Sequence, residues 1–248
     1  MGGRALGDGC QRRLATRNLT GMSRQKHAFL FDLDGTLVDS VYQHVLAWKE
    51  SLDMEGIDLS VWRIHRKIGM SGGLFTDILL RETRTEITPE RIDRLRRNHA
   101  AAYGRLAQAG AVKPLPGAVE LLKWLTDANI PWAIATSGRM ETASHNIAAL
   151  GVDPNKVPVV TRDQVRHAKP DPDLFVTAAE RLGTDIRDAM VIGDAIWDML
   201  AAQRARALGI GLLSGGYGEN ELERAGAYRV FEDPADLLAH IDEVAARS

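Results

Sequence analysis

The chain has a single cysteine, Cys10, which excludes an intrachain disulfide and fits a reducing compartment. No apolar run approaches the roughly 20 residues of a membrane-spanning helix. The apolar centre of a secretory signal is also missing, so a cytoplasmic protein without a membrane partner is expected. Net charge is scarce. A balance of −2 over 248 residues gives no global electrostatic reason to expect nucleic acid as a partner. Repeats and long low-complexity tracts are absent. What is present is an ordinary globular composition, 45% apolar and 26% charged, typical of soluble domains. A chain of this length can bury roughly 70–75% of its unfolded surface, as one large domain or a domain with an insertion.

The stretch from His27 to Asp39 organises the rest. Ala28-Phe29-Leu30-Phe31 is an uninterrupted apolar run, the pattern of a strand buried on both faces of a parallel sheet. It runs into Asp32-Leu33-Asp34-Gly35-Thr36. Asp-Gly also marks ordinary turns, but carboxylates at the end of a buried strand are costly unless something compensates them. Two of them on alternate positions suggest a cation and a reaction.

Residues 1–26 carry six basic residues against one acid, Asp8. An Arg-rich, acid-poor start can mark an organelle transit peptide, but the segment is read here as a disordered basic tail before a start near Met22. From 40 to 112 the pattern is helical throughout. Val41, Val45 and Trp48 share one face of a first helix. Further helices are expected over 60–67, 74–82 and 89–107, the last capped by Thr88 with Pro89 at its first position. Between them, the glycine-rich stretch from Ile68 to Gly73 reads as a mobile or ligand-facing loop. From Lys113 onward, strands and helices alternate strictly. Strands are expected over 130–136, 157–161, 189–192, 210–213 and 229–231. Helices are expected over 118–128 and 140–150, then from an Asp171-Pro172 cap to Gly183, from about 195 to 208, and over 219–225 and 234–246. The expectation is an α/β protein with a Rossmann-like parallel sheet core, built from 27–39 and 113–248, and an inserted all-helical cap at 40–112.

In such sheets ligands bind beyond the carboxyl ends of the strands. Those ends carry Asp32 and Asp34, then Thr136-Ser137-Gly138, then Lys169 in the loop after the third strand, then Gly193-Asp194 with Asp198 four residues on. Each piece alone is weak, whereas four in this order at successive strand ends are hard to obtain by chance. Together they resemble the haloacid dehalogenase superfamily, whose members are mostly phosphatases. The resemblance rests on Asp32-Leu33-Asp34-Gly35-Thr36-Leu37, Thr136-Ser137, Lys169-Pro170 and Gly193-Asp194-x-x-x-Asp198, and covers the chain after residue 27. A helical insertion directly after the first motif is similar to the type-1 cap of phosphoglycolate-phosphatase-like and β-phosphoglucomutase-like members.

Asp32 is a suitable nucleophile toward phosphorus, giving an acyl phosphate that water later cleaves, and Asp34 is suited to the acid/base role. With Asp194 and a substrate phosphate the site gathers several negative charges. At about 4 Å and an effective dielectric near 20, each like-charge pair costs about 4 kcal/mol, more than one lysine offsets. All-oxygen ligands indicate Mg2+. The resemblance implies Asp32, the backbone carbonyl of Asp34 and Asp194 as ligands, with Asp198 as a further ligand or supporting partner. Thr136 would donate to a phosphoryl oxygen and Lys169 would clamp the anion, while Ser137, Gly138 and the following helix start add donors.

The expected partner is a small phosphate ester of the phosphoglycolate or sugar phosphate type, with the chain a monomer or homodimer. Asp34 and the Asp194–Asp198 pair argue against a dehalogenase, and phosphonate hydrolysis would need a cap lysine such as Lys49 or Lys67 as a Schiff base. A binding module without catalysis should have lost Asp32, Asp34, Lys169 or Asp194, and none is substituted. β-Phosphoglucomutase is the closer rival, because His44 and Trp48 fall where mutases carry a similar His and Trp. Gly193 and Gly72 depart from that pattern. His44 reads as a helix or hinge histidine or as a group orienting the acid or the substrate. Trp48 reads as cap packing ahead of substrate stacking, and Arg63, Arg66 and Lys67 as a solvated face ahead of a site for a second anionic group. The segment Gly69–Gly73 is expected to line the cleft, with Gly72 facing substrate, and hinges are expected near Asp39 and Lys113.

Overall fold

The computed structural model describes residues 27–245 except 84, 86 and 87, without the side chains of 72, 73, 79, 80 and 245. The expected tail at 1–26 lies outside the described residues. Strand β1 (Ala28–Phe31) is completely buried. Phe29 and Phe31 enter one apolar layer and Ala28 and Leu30 the other, the two-sided burial that a continuous apolar run requires. After the tight turn at Gly35, β2 (Val38–Asp39) leads into four helices: α1 (Val41–Met54), α2 (Val61–His65), α3 (Gly72–Glu82) and α4 (Pro89–Gln108). Strand β3 (Lys113–Pro114) then pairs antiparallel with β2, Asp39 opposite Lys113. The chain therefore enters and leaves the helical insertion side by side.

The insertion has an apolar centre of its own, in which Val45, Trp48, Leu52, Ile64, Phe75 and Leu95 meet. Thr88 caps α4 by accepting from the Arg91 amide (3.3 Å), with Pro89 opening the helix. Helix α3 starts two residues before the expected position. The Ser71 carbonyl accepts from the Phe75 amide (2.8 Å) and its hydroxyl accepts from the Leu74 amide (3.3 Å). Ser71 thus ends the glycine-rich loop and caps the helix, so Gly72 and Gly73 belong to its first turn.

The remainder alternates: α5 (Ala118–Asp127), β4 (Trp132–Ala135), α6 (Met140–Ala149), β5 (Val159–Val160), α7 (Asp173–Leu182), β6 (Ala189–Gly193), α8 (Ile196–Ala205), β7 (Leu208–Leu212), α9 (Glu219–Ala225), β8 (Ala227–Phe231), α10 (Pro234–Ala239) and α11 (Ile241–Ala245). Six strands form one sheet in the order β5-β4-β1-β6-β7-β8, every pair parallel. The fold is a Rossmann-like α/β sheet. Its order reverses beside β1, which places the crevice for a ligand at the ends of β1, β4 and β6.

Helix boundaries in this half also differ from the sequence reading. Helix α8 stops at Ala205, not near 208, because Arg206 turns left-handed (φ 62°) and Leu208 already opens β7. A non-glycine residue in that conformation leaves no stop signal to read. Asp171 does not cap α7; it pairs with Arg204 (3.0 Å), and Asp173 begins the helix. The expected helix over 234–246 breaks at His240, after which Ile241 and Val244 reach the same apolar layer as Leu237.

Candidate active site

Because β1 is central, its end meets the ends of β4 and β6 and the loop after β5. The turn after Asp34 is shaped for this meeting. Gly35 has φ +84°, and a Cβ there would run into the Asp194 carboxylate and Val41. Only glycine combines that conformation with so close an approach. Gly193, in ordinary strand conformation, gives Asp198 a similarly close approach, and the Asp198 side chain occupies the space a Cβ would fill.

Asp32 is buried and forms an ion pair with Lys169, whose Nζ also lies 2.7 Å from Asp198 Oδ1. Asp198 Oδ2 accepts from the Ala195 amide (3.0 Å). Asp194 Oδ1 accepts from the Thr36 hydroxyl (2.8 Å). Asp32, Asp194 and Asp198 each offer an oxygen within 4.8 Å of the others. Burial pushes the Asp32 carboxyl up, Lys169 offsets this in part, and Asp198 and Asp34 add to it, raising it to about 7. Burial, Asp198 and Asp32 push Asp194 well up. Burial alone would lower Lys169, but the charges of Asp198 and Asp32 outweigh it and keep the ammonium charged. Three buried carboxylates against one buried cation leave a deficit of positive charge. A divalent ion bound by oxygen fits this donor set.

Asp34 stands in different company. Its Oδ1 accepts from Ser40 Oγ (2.6 Å) and Asn146 Nδ2 (2.6 Å), and His44 Nε2 lies 3.3 Å away. Burial alone would raise this carboxyl. The His44 charge with the His44 and Ser40 hydrogen bonds outweighs it and holds Asp34 below its ordinary range. Its other oxygen, Oδ2, faces Gly138, where a Cβ would sit 3.9 Å away and would crowd Thr136 Oγ1 at 3.2 Å. Gly138 thus keeps the gap between acid and hydroxyl open. Thr136 Oγ1 accepts from the Gly138 amide (3.0 Å), which leaves its own proton free to donate. Ser137 Oγ is buried with no partner among the described residues, a polar atom that needs an acceptor.

Asp32, Asp34, Thr136, Ser137, Gly138 and His44 line one cleft of about 620 Å³. Lys169, Asp194 and Asp198 are buried around Asp32. The opposite wall comes from the insertion and includes Lys67, Ile68, Gly69 and Met70, while the Ser71 amide donates to the Lys169 carbonyl (3.1 Å). Gly72 opens α3, and its surroundings lie outside the described residues. Trp48 packs on Phe75 and His99 (centroids 4.3 and 4.2 Å) while bordering the cleft. On the expected solvated face Arg63 is exposed, and its neighbours make ion pairs. Arg66 grips Glu221 with both amino groups and Lys67 pairs with Glu82 (3.0 Å).

Sequence reading missed Ser40, His99, Tyr103 and Asn146. Ser40 resembles a helix cap, yet its hydroxyl makes no capping bond and serves Asp34 instead. Asn146 looks like any polar residue in an amphipathic helix. The one available signal was the His99–Tyr103 spacing of four, which puts both on the face that carries Leu95 and Ala102.

Residues 26–206 match the haloacid dehalogenase-like hydrolase family. Hexitol phosphatase A of Escherichia coli is 35% identical over 178 residues, 67% of this chain and 74% of that protein. The crystal structure of a hydrolase from Pseudomonas syringae is 60% identical with a TM-score of 0.86, spanning 89% of this chain and all of that one. A β-phosphoglucomutase from Clostridium difficile shares the fold (TM-score 0.77, 23% identity, 89% and 97% covered).

Proposed function

The chain belongs to the haloacid dehalogenase-like hydrolases, and on that premise we propose that it is a Mg2+-dependent phosphatase of small polyol or sugar phosphates, with Asp32 as nucleophile and Asp34 as acid and base. The observation that carries this reading is the division of donors at the end of β1. Asp32 is matched to a buried lysine and to carboxylates that call for a cation. Asp34 has one oxygen held by donors and the other turned toward the cleft.

Asp34, ionised in the free site, takes up a solvent proton on Oδ2 as the negative charge of the substrate approaches. In the first step an Asp32 oxygen bonds to phosphorus as the ester oxygen leaves with that proton. In the second, water attacks the same phosphorus and gives its proton to Asp34. The bond to Asp32 then breaks and inorganic phosphate departs. Thr136 and Ser137 donate to phosphoryl oxygens, and Lys169 stays charged beside Asp32 throughout. A divalent cation held by Asp32, Asp194 and the Asp34 carbonyl supplies neutralisation of the converging negative charge when bound. Both Asp198 oxygens are already engaged, one near Lys169 and one by the Ala195 amide. Asp198 therefore serves best as the group that orients Lys169.

The volume and walls of the cleft favour a polyhydroxylated substrate. Trp48 and Phe75 give it an apolar floor, while Asp93, Arg96, Arg97 and Glu141 line it with charges of both signs. A two-carbon phosphoglycolate would leave most of about 620 Å³ unfilled; ligand sites usually enclose their ligands closely. Phosphoryl transfer within a sugar phosphate is the second reading, supported by the placement of His44 beside Asp34. One panel separates these readings: hexitol phosphates, fructose 1-phosphate, phosphoglycolate and β-glucose 1-phosphate, each with magnesium and with EDTA. The reading expects magnesium-dependent phosphate release, fastest on the polyol and sugar esters. Conversion of glucose 1-phosphate to the 6-phosphate outpacing phosphate release would overturn it in favour of the mutase.

A further inference from the structure

Asn146 sits in the middle of α6 on the sheet side of the molecule, 1% exposed, next to the core residue Ile147. A buried amide in such a place must satisfy both of its ends, and this one spans two parts of the fold. Its Nδ2 donates to Asp34 Oδ1 (2.6 Å), and its Oδ1 accepts from the Tyr103 hydroxyl (2.8 Å). The direction of the pair follows from the chemistry. An ionised carboxylate only accepts, so the amide nitrogen must face Asp34, and the amide oxygen then requires the phenol as donor. Tyr103 lies on α4 of the helical insertion, 1% exposed, with its ring parallel to that of His44 at 3.9 Å. A chain of hydrogen bonds thus runs from the insertion, through one side chain of the sheet domain, to the proposed acid.

We propose that Asn146 and Tyr103 are positioning residues for proton transfer: Tyr103 fixes the Asn146 amide, which with Ser40 occupies Asp34 Oδ1 and leaves Oδ2 as the oxygen that exchanges protons with the leaving group and water. This rests on the reading of Asp34 as the acid and base. A carboxylate is free to turn about its own axis. Two hydrogen bonds of 2.6 Å on one oxygen set which oxygen faces the substrate, because a proton is disfavoured where donors already point. Seating of the insertion and orientation of the acid become one event, since the phenol arrives with α4.

The experiment compares kcat/KM for an alkyl phosphate (a hexitol phosphate) and for p-nitrophenyl phosphate. This ratio reports the steps through leaving-group departure, where an alkoxide needs a proton and nitrophenolate does not. Asn146→Ala should lose roughly ten- to a hundredfold on the alkyl ester, the scale of a lost hydrogen bond to a charged group, and at least about tenfold less on the aryl ester. Tyr103→Phe keeps the ring on His44 and removes only the donor. It should shift the ratio in the same direction by about three- to tenfold, and it keeps the test open if Asn146→Ala folds poorly. Equal losses on the two esters in Tyr103→Phe, or no loss in either variant, would overturn the proposal. Asp34→Asn distinguishes the two levels of the argument. Alkyl-selective loss in Asp34→Asn combined with equal losses in the other variants refutes the positioning role alone. Equal losses in Asp34→Asn itself refute the acid role on which it rests.

Discussion

Asp32 and Asp34 leave the same strand two residues apart, and nearly everything around them differs. Asp32 looks into a buried cluster of like charge, with Asp194 and Asp198 near it and Lys169 as its cation. Asp34 looks toward the helical insertion and α6, where a hydroxyl, an amide and a histidine meet its Oδ1. Burial and carboxylate neighbours push the first up to about 7, whereas the donors hold the second below its usual range. Environment, not residue type, separates the two carboxylates. Here the sheet supplies the environment of Asp32, and the junction of sheet and insertion supplies that of Asp34.

The comparison breaks most visibly at Asp32. Asp32→Asn should lower kcat on hexitol phosphate and on p-nitrophenyl phosphate alike, by about 10⁴-fold or more, with an unchanged circular dichroism spectrum. A variant that kept most of its rate would place the nucleophile elsewhere. Asp34→Asn should be selective where Asp32→Asn is not, costing about 10²–10⁴-fold on alkyl phosphates and less in kcat/KM for the aryl ester. In the proposed site the side chains that hold the cation lie on the Asp32 side, and Asp34 contributes only its backbone carbonyl. Magnesium at about 100 times its Kd should raise stability by about 2.7 kcal/mol, read as a thermal shift. Asp194→Asn should abolish that shift, while Asn146→Ala should retain it. The smallest effect is expected at Ser40. Ser40→Ala removes one donor of several on Asp34 Oδ1, so it should lower alkyl phosphate turnover by roughly threefold and leave the magnesium shift unchanged.

The two sides also differ in how far the sequence disclosed them. The surroundings of Asp32 were readable because each member follows a buried strand, and a polar residue after an apolar run stands out: Asp32 after Phe31, Thr136 after Ala135, Asp194 after Gly193. Lys169 is the least obvious of these, since a lysine before proline ordinarily faces solvent, yet it is completely buried. The surroundings of Asp34 were largely hidden. A helical pattern discloses which face is apolar but not which helix that face meets. Asn146 and Tyr103, 43 positions apart, are joined only by the packing of α4 against α6. His44 reads as a helix or hinge histidine or as a group orienting the acid or the substrate, and the structure puts it beside the acid. Ser40 was absorbed into the start of a helix. The boundaries that slipped have local causes of the same kind, such as the left-handed Arg206 that ends α8 without a glycine. Long-range hydrogen bonds leave no periodicity to detect.

The proposed division of labour is tested most directly by trapping. The Asp34→Asn variant is mixed with p-nitrophenyl phosphate and magnesium, quenched in acid, and digested for mass spectrometry. A good leaving group allows Asp32 to take the phosphoryl group without an acid, while the missing base leaves water unable to remove it. The account predicts one added phosphoryl group on the peptide that contains Asp32, accumulating with time and absent when Asp32 is also replaced by Asn. A phosphoryl group on another residue, or none while nitrophenol is still released in repeated turnovers, would contradict it.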